Sequence, residues 1–437
     1  MLKEENKTAI ILSTDSDVSE IKELASSLGY DVLQSFVQQR ERPDANYYFG
    51  RGKLDDIKEF INDPGEPIVS CGNKACGGVG LVLVNGELKP SQQFNMEDIL
   101  GADVYDRIRL ILEIFSSRAN RREAKLQVEL ARLRYEVPFV RELIGKARMG
   151  EQPGFMGGGE YQVSDYYEMI KKRMKRIRTE LGRIEDERRT RRKTRERRGF
   201  SMVSLVGYTN AGKSSLLAAL SGEEVLVEDR LFSTLSTTTR KLPKNLPKVL
   251  LTDTVGFIRD LPHWLVESFH STLEEAGLSD VVVLVVDASD AAADMKEKIE
   301  VSLKELATLG SDSPMLMALN KIDKISEAEL EEKLSAARYI AASENCRVVA
   351  ISTKTAKGLE TFTEQLYDLL PDLITIRIRI PIEKDSASFI SWLHSNCKIS
   401  EKDYTLDFLT LRCTCGFTAY VSILSKAPEL GMEIEVY

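Results

Sequence analysis

The stretch GYTNAGKSS, Gly207 to Ser215, constrains the fold of this chain more than any other. It follows the apolar run MVSLV and precedes SLLAAL, a run of good helix formers. A G-x-x-x-x-G-K-[ST] spacing in that position requires a buried strand, a tight turn and a helix N-terminus in immediate succession. Gly207 and Gly212 let backbone N–H groups turn inward around phosphates, and the following helix adds its dipole. Tyr208, Thr209, Asn210 and Ala211 make up the turn, and Ser215 closes the motif. Lys213 can neutralise β and γ phosphates, while the Ser214 hydroxyl can ligate Mg2+. Downstream, KVLLTD, VVVLVVDAS, PMLMALNKID and RVVAIS are near-continuous apolar runs. Strands buried on both faces of a parallel sheet require such runs, so an α/β domain with a doubly wound, mostly parallel sheet is expected over 200–371.

Two further motifs choose the chemistry. DTVG, comprising Asp253, Thr254, Val255 and Gly256, ends the second apolar run. The Asp253 carboxylate would hold Mg2+ through water, and the Gly256 N–H would sense a γ-phosphate. NKID, comprising Asn320, Lys321, Ile322 and Asp323, ends the strand PMLMALNKID. Asp323 can accept two hydrogen bonds from guanine, whereas adenine offers neither donor and would leave a buried carboxylate unpaired. Asn320 ties neighbouring loops together, and the Lys321 stem can cover the base. ISTKTAKG follows the last apolar run, with Ser352, Thr353 and Lys354 placed for base contact. LFSTLSTTTR lies where a first switch segment belongs, with Phe232, Ser233, Thr234, Leu235 and Ser236 as nucleotide contacts. Its six hydroxyls offer several second ligands for Mg2+, and a Thr-rich edge strand is the plainer reading of some of them. The set describes a GTP hydrolase in which Lys213 and Gly256 act on the phosphates. One residue resists that description: Phe257 stands where a water-positioning side chain normally follows DTxG.

The remainder of the 437 residues divides into three more parts. Residues 1–115 alternate strand and helix: AIILST, a helix in SEIKELASSLGY (Ser19 to Tyr30) ended by Gly29, DVLQSFVQ, then a glycine turn and the helical RGKLDDIKEFIND. Residues 116–199 turn to helix, with Leu126, Leu130, Leu133 and Val137 forming one apolar stripe. After Pro138 and the glycine-rich MGEQPGFMGGGE, expected to be a mobile turn, Ile170, Met174, Ile177, Leu181 and Ile184 form a second stripe. The pair reads as a helical hairpin. Residues 372–437 suggest a small α+β domain, with SASFISWLHSN as its helix, ITIRIRIPI before it and two later strand-like runs. The formal net charge is −8, yet Lys171 to Arg198 holds 15 Lys/Arg against 5 Asp/Glu, a local +10. The apolar stripe stops at Ile184, so Arg191, Arg192, Arg195, Arg197 and Arg198 have nothing to pack against and gain most from nucleic-acid phosphates. VVVLVV is far too short for a membrane span, and the acidic start carries no secretory pattern. Cys413-x-Cys415 alternates as a strand does; with three histidines in the chain, a zinc site is not expected.

Taken in order, GRGK, KLQVELARLRYEVP, the glycine-rich connector, GYTNAGKSSL, LFSTLSTTTR and DTVGFI resemble the HflX family of ribosome-associated GTPases, over residues 9–370. The resemblance implies GTP and GDP as ligands and the large ribosomal subunit with its RNA as partner, in subunit splitting, rescue or assembly. Scattered cysteines fit reduced thiols in a cytoplasmic protein, and a monomer is expected. Within LFSTLSTTTR the resemblance places the Mg2+ threonine at Thr234. It sets Asn210 where some of these GTPases use an asparagine with K+, and Phe257 among proteins whose hydrolysis is slow until a partner assists.

Overall fold

The computed structural model describes residues 7–40, 42–62, 79–150, 158–197, 200–222, 238–243, 248–254, 256–258, 262, 264–265, 277–308, 313–343, 346–371, 374–381 and 386–437. Their contacts form two compact units, one reaching to Leu181 and taking in Trp264 and Leu265, the other starting at Gly182. Among these residues no helix is long and apolar enough to cross a membrane.

The first unit opens with β1 (Lys7–Ser13), α1 (Ser19–Ser27), β2 (Tyr30–Val37) and α2 (Arg51–Asn62). It continues with β3 (Leu81–Val84), α3 (Pro90–Leu100), β4 (Val104–Asp106) and α4 (Arg107–Arg118). The sheet is parallel in the order β2-β1-β3-β4. β3 is buried along its whole length, as its all-aliphatic LVLV demands. α1 ends at Ser27, and Gly29 takes φ +79° and turns the chain into β2, as the glycine stop read from the sequence requires.

Two long helices follow, α5 (Arg122–Gly150) and α6 (Gly158–Arg197). They run antiparallel: Arg173 makes a two-pronged pair with Glu129 at 2.6 and 2.8 Å, and Arg141 donates to the Tyr167 hydroxyl at 2.8 Å. Leu126, Leu130, Ile170 and Ile177 from the two expected stripes are buried. Pro138 does not end the first helix. Its ring removes one hydrogen bond and crowds the preceding turn, costing about 3 kcal/mol; burial of Leu130 and Ala131 before it and Val140 after it keeps both halves in register. Of the expected mobile turn, Met149 and Gly150 close α5 and Gly158 to Glu160 open α6, while 151–157 lie outside the described residues. Arg191, Arg192, Arg195 and Arg197 continue α6, and Arg198 lies outside the described residues.

The second sheet comprises β5 (Phe200–Gly207), β6 (Thr238–Lys241), β7 (Lys248–Asp253), β8 (Val281–Asp287), β9 (Met315–Asn320) and β10 (Cys346–Ala350). Its order is β10-β9-β8-β5-β7-β6, parallel except for the edge strand β6. The helices α7 (Lys213–Ser221), α8 (Ala292–Thr308) and α9 (Glu327–Ser343) lie between these strands, and α10 (Leu359–Leu369) follows the last of them. Val203, Leu205, Val283, Val285, Leu316 and Phe362 share one core. From β5 the chain builds β6 and β7 on one side, then crosses from β7 to β8 on the other side of β5. Such a reversal leaves a crevice at the carboxyl ends of the strands.

The last part is β11 (Ile374–Pro381), α11 (Ser386–Asn396), β12 (Lys398–Tyr404), β13 (Phe408–Cys415), α12 (Phe417–Lys426) and β14 (Glu433–Val436). Its antiparallel sheet runs β12-β13-β11-β14. β13 alternates buried and half-buried residues, and Cys413 and Cys415 both fall on its buried face. The sequence reading missed α12 and one of the strands after α11. FTAYVSILSK is rich in aromatic and β-branched residues, which favour a strand locally, so its helical state comes from tertiary packing.

Candidate nucleotide-binding site

The carboxyl ends of β5, β7, β8 and β9 carry Gly207, Asp253, Asp287 and Asn320, and Ser352 follows β10. The turn after β5 needs its glycines. Gly207 has φ +139° and a Cβ there would run into the Val285 carbonyl; Gly212 has φ +96° and a Cβ would strike the Asn320 amide. Asn210 is exposed at φ +61°, a left-handed conformation that Asn tolerates better than most residues.

Lys213 is buried, and its Nζ donates to the Gly207 and Tyr208 carbonyls at 3.0 and 2.7 Å. Burial pushes the ammonium down to about 8, against the charge of Asp253, which favours the proton. Ser214 at the start of α7 donates its hydroxyl to Asp253 Oδ2 at 2.6 Å. Thr254 turns inward and donates to the Leu205 carbonyl at 2.7 Å. Gly256 crosses close above: a Cβ there would lie 2.8 Å from Lys213 Nζ and 2.9 Å from Thr209 Cα. Thr209, Ala211 and Ser215 complete the loop and the first turn of α7.

Phe257 is fastened rather than poised. Its N–H donates to the Gly207 carbonyl at 3.0 Å and its carbonyl accepts from Thr209 N–H at 2.8 Å. The ring is 5% exposed. The residue at the water-positioning place is therefore a backbone staple between the DTVG segment and the phosphate loop.

At the other end of the crevice Asn320 is fully buried. Its amide donates to the Ala211 carbonyl at 2.9 Å, and its Oδ1 accepts from Thr353 N–H at 3.1 Å. Asp323 is the middle residue of a short 3-10 turn, Ile322–Lys324, and accepts from the Ser352 hydroxyl at 2.6 Å. That bond, aided by the charges of Lys354 and Lys324, holds its carboxyl below the usual range. Asp323 is exposed, since β9 ends at Asn320 and the 3-10 turn carries Asp323 clear of the core. Ser352 is buried and its own N–H reaches the Lys357 carbonyl at 2.9 Å. Ile322 packs inward beneath the turn.

Sequence reasoning missed Asp287, whose carboxylate pairs with Lys321 at 2.6 Å. The signal was present: DAS and NKID end two runs of similar length that become neighbouring strands. Phe232, Ser233, Thr234, Leu235, Ser236 and Val255 lie outside the described residues. Thr238 and Thr239 form part of β6, where Thr239 and Thr252 share a hydroxyl–hydroxyl bond at 3.1 Å, as the edge-strand reading requires. Arg191 is exposed and pairs with Glu187 at 3.0 Å.

Three family models match the chain: "GTP-binding GTPase N-terminal" over 15–116, "GTP-binding GTPase Middle Region" over 118–195 and "50S ribosome-binding GTPase" over 202–321. GTPase HflX of Thermococcus kodakarensis is 41% identical over 364 residues, 83% of this chain and 78% of that protein. GTPase HflX of Methanocaldococcus jannaschii is 38% identical over 401 residues, 90% and 92% of the two chains. A crystal structure of SsGBP with GDP aligns at a TM-score of 0.51 and 28% identity, covering 83% of this chain and 98% of that one.

Proposed function

The chain belongs to the HflX family of GTPases and is a GTP hydrolase; from that premise we propose that it turns over slowly alone and acts on the large ribosomal subunit. The observation that carries the nucleotide reading is the Asn320 tether, which joins the phosphate loop at Ala211 to the base loop at Thr353. In this reading Lys213 neutralises the β and γ phosphates, the Gly256 N–H meets the γ-phosphate, and Asp323 reads guanine. The adjacent Ser214 hydroxyl and Asp253 carboxylate form an all-oxygen donor pair that suits a hard dication such as Mg2+. Thr234 is the proposed second protein ligand. Held by Ser214 and Thr234, such an ion would supply positive charge against the negative charge that develops on the phosphates.

Phe257 carries no polar group that could orient water, so the attacking geometry is completed elsewhere. Two sources are proposed: the ribosomal partner, and K+ beside Asn210, which would add positive charge where the transition state needs it. Comparing GTP turnover in K+ and Na+, with and without ribosomes, tests the second. Equal rates in K+ and Na+, on ribosomes as well as off them, would remove the ion from the account.

The run of Arg and Lys at the end of α6, where Arg191 is exposed, supports contact with ribosomal RNA, since clustered guanidinium groups suit phosphate neutralisation. The "50S ribosome-binding GTPase" description of the matching family points to the same partner. Division of the chain at 1–115, 116–199, 200–371 and 372–437 accompanies this reading, as does a cytoplasmic monomer serving subunit splitting, rescue or biogenesis. Sedimentation with large subunits, in a non-hydrolysable GTP analogue against GDP, tests it. Affinity is expected to fall steeply with salt. Replacing Arg191, Arg192, Arg195, Arg197 and Arg198 by Gln is expected to flatten that slope by several units, with GTP binding unchanged. An unchanged slope would make this end of α6 a linker.

A further inference from the structure

We infer that Asp287 is a positioning residue for guanine recognition, holding the Lys321 side chain in place next to Asp323; the inference rests on the guanine reading above. Asp287 is the last residue of β8, in register with Asn320 at the end of β9. The next N–H, that of Ala288, donates to the Asn320 carbonyl at 2.8 Å, so the two strand ends are locked together. Asp287 Oδ2 then lies 2.6 Å from Lys321 Nζ, with the side chains 15% and 18% exposed. The other oxygen, Oδ1, accepts from the Ser289 N–H at 2.9 Å and the Ser289 hydroxyl at 2.6 Å. Both oxygens are committed, so the carboxylate has one orientation.

The turn that carries Asp287 is itself anchored. Lys333, also buried, donates to the Ala288 and Asp290 carbonyls at 2.8 Å each. Asp290 pairs with Lys298 at 2.8 Å, and Lys298 Nζ stands 5.3 Å from the centre of the Tyr208 ring in the phosphate loop. A polar frame therefore runs from the phosphate loop to the residues assigned to the base.

Lys321 needs such a frame. Its backbone is left-handed at φ +65°, a conformation a lysine adopts only where surrounding structure enforces it. Its four-carbon stem has large rotamer freedom, and a stem that must lie along a base loses that freedom on binding. A fixed carboxylate removes the freedom beforehand, so the nucleotide meets an ordered wall. An exposed ion pair would contribute little, but this one is largely withdrawn from water. It lies with the base-reading residues, so its effect belongs to affinity rather than to the rate of the bound complex.

The test uses the full-length protein with fluorescent GDP and GTP. Asp287→Asn is expected to raise both dissociation constants about tenfold. Single-turnover hydrolysis at saturating GTP should stay within about twofold. Lys321→Ala should cost a similar factor, and the double variant no more than either single change. Wild-type affinity in Asp287→Asn, or losses that multiply in the double variant, would overturn the inference. Should Asp287→Asn fail to fold, Asp287→Glu replaces it, and wild-type affinity in Lys321→Ala would be equally fatal. Asp323→Asn run in parallel separates the layers: if that change leaves guanine preference intact, the guanine reading fails. If it shifts preference toward xanthine while Asp287→Asn binds normally, only the positioning role fails.

Discussion

Asp106 at the end of β4 and Lys213 at the start of α7 are both ionisable groups buried at the carboxyl edge of a parallel sheet, and they differ in what surrounds them. Asp106 is enclosed by donors of its own fold: the N–H groups of Leu88 and Arg109 at 3.2 and 2.7 Å and the Tyr135 hydroxyl at 3.1 Å. It caps α4 and draws α5 onto the sheet. Lys213 has carbonyls around its ammonium and Gly256 passing over it, in a loop whose backbone turns on two glycines. The first arrangement completes a structure; the second holds charge ready for an anion. Two sheets of similar design thus diverge through the few residues at their strand ends, which is where function sits on α/β folds.

The larger effect expected from this contrast lies at Asp106. Burial pushes its carboxyl up to about 6, although all three donors favour the carboxylate. A folded-state value above the unfolded one stabilises the protein fully below the unfolded value of about 4, and that stability is lost as pH rises through 6. The loss amounts to about 3 kcal/mol at most. Denaturant unfolding at pH 4 to 7 should therefore show the wild type losing stability relative to Asp106→Asn as pH rises, with the gap constant above pH 7. Parallel curves for the two proteins would show that Asp106 is solvated, and the contrast with Lys213 would collapse.

A smaller effect belongs to Lys213. Its ammonium titrates near 8 without nucleotide, and bound phosphates would raise that value by adding negative charge. GTP affinity should then be flat below about pH 7 and fall by up to about tenfold per unit above 8, with a proton taken up on binding. Calorimetry in two buffers of different ionisation enthalpy measures that uptake. Zero uptake at pH 8.5 would mean the lysine is already charged, and burial would not distinguish it from a surface ammonium.

What was legible in the sequence follows the same division. The tight turn after β5 could be read because its geometry demands residue types at fixed spacing: no residue but glycine fits at Gly207 beneath the Val285 carbonyl. The parallel strands were legible because double-sided burial leaves unbroken apolar runs. Features fixed by contacts distant in sequence were not. Nothing in LRYEVPFV announces that packing on either side of Pro138 would carry α5 through it. Nothing in DTVGF says that Phe257 would be used for its backbone, and Asp287 acquires a role only when β8 and β9 come into register.

The central claim is that this crevice reads guanine through Asp323, and exchanging that carboxylate for an amide tests it most directly. Equilibrium binding of GTP and XTP to the wild type and Asp323→Asn should show GTP weakened by about 100-fold or more in the variant. XTP should gain, because its 2-oxo group accepts from the new amide donor. Unchanged GTP affinity in Asp323→Asn, with XTP still rejected, would contradict the account.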